Sequence, residues 1–410
     1  MEILYVSRLC STRTFNDFFT KSIIKPEQQA QKFHRLLAEG FGSLGHATVT
    51  TLSGIPLSRM NTRKLFINYP NDSDKEVTYK YIPLLNVPFI GHILTLLIAF
   101  IGSFIWCFNN RKNERVIICD VLNLTISAAA KCAATLCNVK TIGIVTDLPQ
   151  FMQTYSTKRQ FGIKQLFKKW YTEFCDFFIK KHDGYVLLTI HMNEIVNPHK
   201  KPHIVIEGFV DLEMTKINNE LKNKYEKKIV IYAGALQEKY GVKKLVEAFI
   251  NIPFNDAELW LFGSGELENE LKNYELKDKR IRFYGVLPNS EIIIKETKAT
   301  LLINPRPSEE EFTKYSFPSK NMEYMASGTP ILTTNLPGMP VEYKEFVYCF
   351  EGENVDDLKE KLVEVLSLDM RELHGFGLKA KSFVLTYKNN LKQAEKILDF
   401  LKTTIFHEIC

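Results

Sequence analysis

Asn304–Tyr324, NPRPSEEEFTKYSFPSKNMEY, follows the apolar, β-rich run Ala299–Ile303 (ATLLI) and leads into a helix. Pro318 fits the first turn of that helix, and Gly328 fits its end. A strand, a polar loop and a helix in succession specify an α/β domain. The first turn of such a helix carries unpaired N–H groups and partial positive charge, so the backbone at Ser319 and Lys320 suits an anion such as phosphate. Arg306, Lys314 and Lys320 add formal charge nearby. Glu323 lies about 7.5 Å further along the axis than Pro318, at about 1.5 Å per residue. A carboxylate there suits ribose hydroxyls while a diphosphate sits at the helix start. The same pattern also fits an ordinary capped helix of an α/β domain.

The longer segment FPSKNMEYMASGTPIL, followed by NLPGMP, resembles the donor site of family-four glycosyltransferases with the GT-B fold. The resemblance implies two Rossmann-like α/β domains facing a cleft, with a C-terminal helix crossing back to the first. The first domain, at 1–207 with 388–410, would take the acceptor, and the second, at 208–387, the nucleotide sugar. It further implies that Glu323 holds the donor ribose. The family's first glutamate falls at Tyr315, with Glu309, Glu310 and Glu311 close by in sequence. In GALQEKYGVKKLVEAF, which resembles the family's phosphate turn, Ala235 and Tyr240 stand where the family has Arg and Lys. That leaves Lys239, Arg306 or Lys320 to hold the diphosphate.

The 410 residues, 45% of them hydrophobic, are enough for two cores and more natural as two domains than one. A net charge of +6 is modest for the length, is locally concentrated, and favours an anionic partner other than nucleic acid. The eight cysteines show no CxxC pair and no zinc-site spacing, as expected of reduced thiols in the cytoplasm. MEILYVSRLC reads as a first strand, with no secretion signal.

Glu2–Ser7, a helix over 26–44 and a strand over 46–52 begin a βαβ pattern. The loop from Arg8 to Lys25 is long enough to be functional. Gln28, Gln29 and His34, at the start of the helix, are candidates for acceptor or phosphate contact, although His34 reads more readily as a surface or packing residue. Residues 87–108, VPFIGHILTLLIAFIGSFIWCF, hold no Asp, Glu, Lys or Arg and are long enough to span a bilayer. Strands over 77–84 and 115–120 flank them, however, and a parallel sheet needs a crossover helix there, so an apolar helix lying in the bilayer interface is the better reading. Asp120 and Asp147 end strands and point toward a cleft, as catalytic candidates or as caps. Family members often have a histidine where Asp147 stands. From Lys158 to Lys181 an amphipathic helix carries Lys164, Lys168, Lys169 and Trp170, a pattern suited to anionic headgroups.

Residues 216–228 read as a charged linker and helix. Beyond them KIVIYAG ends at Gly234, and the turn Gly263-Ser264-Gly265 stands between a strand and a helix, which favours close backbone approach to a nucleotide. Arg282–Val286 resembles the strand and loop of the family that face the nucleobase, which implies readout by the backbone at Val286. The expected function is retaining transfer of a sugar from a nucleotide diphosphate sugar to a lipid-linked glycan acceptor, in capsule, exopolysaccharide or glycoconjugate assembly. The enzyme would be peripheral on the inner face of the cell membrane, with no metal and no cofactor. The alternatives are a GT-B sugar-nucleotide epimerase and a non-catalytic binding module.

Overall fold

The computed structural model describes residues 1–26, 28–57, 61–87, 89–151 and 173–406. The chain divides into two compact units, Met1–Glu207 with Asn390–Cys410, and Gly208–Asn389.

In the first unit, β1 (Glu2–Ser7), β2 (Thr48–Gly54), β5 (Val77–Ile82), β7 (Arg115–Asp120), β8 (Lys140–Val145), β9 (Gly184–Leu187) and β10 (His203–Val205) run parallel. The short β4 (Asp72–Asp74) adds an antiparallel edge, and the order is β10-β9-β8-β7-β1-β2-β5-β4. Ile3–Val6 and Val116–Cys119 are continuous buried runs, as expected where helices cover both faces of a sheet. A separate antiparallel pair joins β3 (Phe66–Ile67) to β6 (Leu84–Leu85).

The apolar segment forms the helix Ile90–Asn109. Because β5 before it and β7 after it lie in one sheet, it serves as a crossover. Its inner face buries Ala99, Ser103, Trp106 and Cys107 beside the alanine-rich helix Leu124–Leu136, whose small residues Ala129, Ala130 and Ala134 permit close packing. Its outer face exposes Ile90, Ile93, Leu97, Ile101, Phe104 and Phe108 at helical spacing. The long loop expected over Arg8–Lys25 instead contains the helix Thr12–Lys21, capped by Ser11 Oγ, which accepts from Thr14 N at 3.2 Å. The last helix, Asn390–Phe400, packs in this unit against Gln29–Ser43. A side chain at Gly40 would come within 2.6 Å of Asn390 O, so only glycine allows that approach.

The second unit holds six parallel strands: β11 (Lys228–Ala233), β12 (Ala257–Phe262), β13 (Ile281–Gly285), β14 (Leu301–Asn304), β15 (Ile331–Thr334) and β16 (Tyr348–Phe350), ordered β13-β12-β11-β14-β15-β16. Alternate residues of β11 feed two cores. Val230 and Tyr232 join Leu245, Phe249 and Leu362 on one face. Ile229 and Ile231 join Met322, Met325 and Val384 on the other. Each such apolar side chain, fully buried, is worth about 1.5–3 kcal/mol. The helix expected within 216–228 does not form. Its place is taken by the short turns Leu212–Lys216 and Leu221–Asn223, with Lys228 already in β11.

Candidate functional site

In both units the strand order reverses beside the first strand, between β1 and β7 and between β11 and β14. Open α/β sheets bind ligands beyond the carboxyl ends of their strands at such points.

At the second switch point two glycine turns interlock. Gly234 N donates to Phe262 O at 2.9 Å, and Gly263 N to Gly285 O at 2.8 Å. Gly263 has φ +128°, and a Cβ there would lie 1.8 Å from Gly234 O. A Cβ on Gly265 would lie 2.2 Å from Leu236 O. Backbone therefore forms the floor of this corner.

The helix Ser319–Ser327 starts above it, with Pro318 as its N-cap, no side-chain cap, and Gly328 left-handed at its end. Lys320 reaches back from the first turn and donates to Tyr232 Oη at 3.0 Å, and Tyr232 Oη donates to Ala235 O at 2.8 Å. The ammonium occupies the place of a Gly234 side chain, since a Cβ there would be 1.7 Å from Lys320 Nζ. Burial, and then the Arg306 charge, lower the Lys320 pKa to about 7, and Glu323 pulls it back upward.

Arg306, just beyond β14, donates to Ser316 Oγ at 2.6 Å and lies 4.4 Å from the Phe312 ring centroid. Three cations converge on the Tyr240 ring. Lys239 Nζ lies 5.1 Å from its centroid, and the Arg306 guanidinium carbon and Lys320 Nζ each lie 5.8 Å away. Tyr240 thus stands at the middle of the cationic group. Glu323 is half-buried about one turn beyond Ser319, Tyr315 is half-buried, and Glu309, Glu310 and Glu311 are exposed. Val286 is exposed just beyond β13.

Sequence reasoning missed Tyr232 and Tyr324. Tyr324 Oη accepts from Ala233 N at 2.8 Å and fixes the end of β11 immediately before the glycine corner. Each sits among apolar neighbours and reads as core, with no signal for its hydroxyl.

The corresponding corner of the first unit is closed. Ser7 Oγ donates to Asp120 Oδ2 at 2.7 Å, His34 Nε2 lies 3.1 Å from the same oxygen, and Tyr5 Oη shares a hydrogen bond of 2.8 Å with His34 Nδ1. Leu122 N and Asn123 Nδ2 also donate to this carboxylate. Burial pushes the Asp120 carboxyl up, but the His34 charge and the hydrogen bonds from His34, Ser7 and Asn123 outweigh it and hold the carboxyl below its usual range. Asp120 and His34, read as facing a cleft and as facing acceptor, are each only 2% exposed and bonded to one another. They join β1, β7 and the helix Gln29–Ser43, which is a positioning role. Asp147 is half-buried two residues beyond β8, its Oδ1 accepting from Leu148 N at 2.8 Å. Gln28 is half-buried and Gln29 exposed at the helix start. Lys164, Lys168, Lys169 and Trp170 lie outside the described residues. Among the described residues no cluster of three or more His, Cys, Asp or Glu could hold a metal ion.

Residues 196–383 match the family described as glycosyl transferases group 1. Over that span the chain is similar to that family, and its fold is that of the GT-B glycosyltransferases. Three solved structures illustrate the likeness. Sucrose-phosphate synthase from Thermosynechococcus elongatus is 15% identical with a TM-score of 0.67, all of both chains being covered. Anabaena HepE in complex with UDP-glucose is 12% identical at 0.62, covering 98% of this chain and 100% of its own. The lipopolysaccharide outer core galactosyltransferase WaaB is 14% identical at 0.58, with both chains fully covered. No curated protein matches the chain.

Proposed function

We propose that the second unit binds a nucleotide diphosphate sugar, a UDP-sugar being the first candidate, and that the chain transfers the sugar with retention of configuration. The observation that carries this reading is the convergence of Lys239, Arg306 and Lys320 on Tyr240, above a glycine-lined backbone floor and at an uncapped helix start. Like charges so close repel one another, so the arrangement favours an anion with more than one charge, such as a diphosphate. During transfer, charge develops on the leaving diphosphate. Cations and helix amides already in place stabilise it without reorganisation. Glu323 accepts from the ribose hydroxyls. The neighbour bound to UDP-glucose supports this donor class.

The acceptor in this proposal is a lipid-linked glycan at the inner membrane face, reached by a peripheral enzyme, in capsule, exopolysaccharide or glycoconjugate assembly. The exposed apolar side of Ile90–Asn109 supports it, with Arg111 4.3 Å from the Phe108 ring at the helix end. Calorimetric titration with a panel of nucleotide sugars tests the donor, and the anomeric configuration of the product tests retention. Binding to anionic vesicles tests the membrane. If none of the panel binds, the donor reading fails.

A further inference from the structure

The two-residue strands β3 and β6 stand outside both large sheets. So short a pair has little stability of its own. Here it is fastened to the start of the helix Ile90–Asn109: Asn86 N donates to Leu65 O at 2.7 Å, and a side chain at Gly91 would fall 2.1 Å from Leu85 O. The pairing buries Ile67 and leaves Leu65 (67% exposed) and Phe66 (57%) on the outside.

Phe89, immediately before the helix, has φ +58°. A bulky side chain rarely adopts this left-handed conformation, because its Cβ crowds the backbone. The ring is nevertheless 75% exposed, so burial does not offset the strain. Backbone strain of this kind clusters at functional sites. Leu65, Phe66 and Phe89 are thus brought together at one end of the exposed helix face that continues through Ile93, Ile101 and Phe108. That face is about 27 Å long from Ile90 to Phe108. An apolar area this extensive marks a contact site.

Residues 61–71 and 86–113 contain no Asp or Glu. Arg63 and Lys64 are exposed near the start of the face, and Arg111 and Lys112 are exposed at its far end. Cations therefore stand at both ends of the apolar face. Two copies of the chain meeting through it, parallel or antiparallel, would set cation against cation. A spanning helix would need its flanking strands on opposite sides of a bilayer, whereas β5 and β7 lie in one sheet. An anionic bilayer surface fits both features, taking the apolar side chains into its interface and the cations among its headgroups.

We infer that Leu65, Phe66 and Phe89 are an insertion anchor that holds the helix Ile90–Asn109 flat in the plane of an anionic bilayer, with Arg63, Lys64, Arg111 and Lys112 among the headgroups. The inference rests on the proposed peripheral docking and adds the anchor residues and the orientation of the helix.

The test sediments the full chain with vesicles of equimolar phosphatidylglycerol and phosphatidylcholine, or of phosphatidylcholine alone, and titrates UDP-glucose as an independent report on the second unit. Phe66→Asp should weaken binding to the anionic vesicles at least tenfold, with the melting temperature and UDP-glucose affinity unchanged. Phe89→Gly separates anchoring from packing. Release of the left-handed strain should raise the melting temperature, while loss of the ring weakens vesicle binding at least fivefold. Reversing the charges at either end, by Arg63→Glu with Lys64→Glu or by Arg111→Glu with Lys112→Glu, should weaken binding to anionic vesicles at least fivefold and to phosphatidylcholine less than twofold. Wild-type vesicle binding in both Phe66→Asp and Phe89→Gly overturns the anchor and leaves peripheral docking standing. Absence of anionic-vesicle binding by the unaltered chain overturns both, and UDP-glucose then shows whether the donor reading survives. A dimer that dissociates in Phe66→Asp, or membrane association that resists alkaline extraction, also overturns the inference, giving the face to a second copy or to a spanning helix.

Discussion

The two switch points share one strand order and differ in what fills them. At the first, the side chains of Tyr5, Ser7, His34 and Asp120 meet in a closed, buried network. At the second, Gly234, Gly263 and Gly265 remove side chains, and three cations gather around Tyr240. The same topology therefore makes a structural joint in one unit and, in the proposed reading, an anion site in the other. The choice is made by side-chain volume at the strand ends: without a Cβ a ligand can approach the backbone, and with a polar side chain the corner satisfies itself.

The largest effect expected from this contrast is on stability. Asp120→Ala leaves the buried His34 without its carboxylate, and breaking such a pair costs about 3–5 kcal/mol. Urea unfolding should show that loss, with UDP-sugar affinity of the folded protein unchanged. Normal stability with abolished turnover would instead place the first corner in the chemistry and break the comparison. In the second unit, Lys320→Ala or Arg306→Ala should slow transfer about 10²–10³-fold, the usual result of removing one preorganised charge-stabilising group. Both should affect nucleoside monophosphate binding much less. Glu323→Ala should weaken donor binding by about 1.5–3 kcal/mol, the range for hydrogen bonds to a charged group, with the melting temperature unchanged. Calorimetry checks it, and an unaltered donor affinity removes Glu323 from the ribose.

The sequence was most legible where burial is uniform. Glu2–Ser7 and Arg115–Asp120 appear as strands with the bounds read from their apolar runs, because buried parallel strands tolerate little else. It was least legible where distant contacts decide. Over 216–228, Asn219 Nδ2 donates to Ser327 O and Lys224 Nζ to Ala299 O, both at 2.9 Å. These bonds to residues far along the chain accompany short turns where charge patterning suggested a helix. Thr12–Lys21 was hidden for a related reason. Its buried apolar positions, Phe15 and Phe18, are few, and Ser11, its cap, also donates to the remote Asp72 at 2.5 Å. At the candidate site, Lys239, Arg306 and Lys320 were readable as cations beside a turn and a helix start. Their convergence on Tyr240 was not, since it depends on a ring that sequence comparison marks only as a departure.

The smallest expected effect is a proton, and it sharpens the contrast most directly. Asp120 is held below its usual range, so it enters neutral pH already charged and its network is lost only as the pH falls through that lowered value. Lys320 behaves oppositely. Its pKa in the folded chain is about 7 against an ordinary 10.5, so between those values the unfolded chain binds more protons and stability rises with pH. A bound diphosphate adds negative charge and favours protonated Lys320, so donor binding above pH 7 takes up close to one proton, and at pH 6 almost none. UDP-glucose is a suitable probe because its phosphodiester groups do not titrate near neutrality. If only protonated Lys320 binds, a single-site titration at about 7 predicts roughly fivefold weaker affinity at pH 8 than at pH 7. Binding enthalpies in two buffers of different ionisation enthalpy measure the uptake. Lys320→Met should abolish it, whereas a variant of the first corner, Ser7→Ala, should leave it intact. Proton uptake that survives Lys320→Met would show that another group carries the proton and would separate the depressed lysine from the anion site.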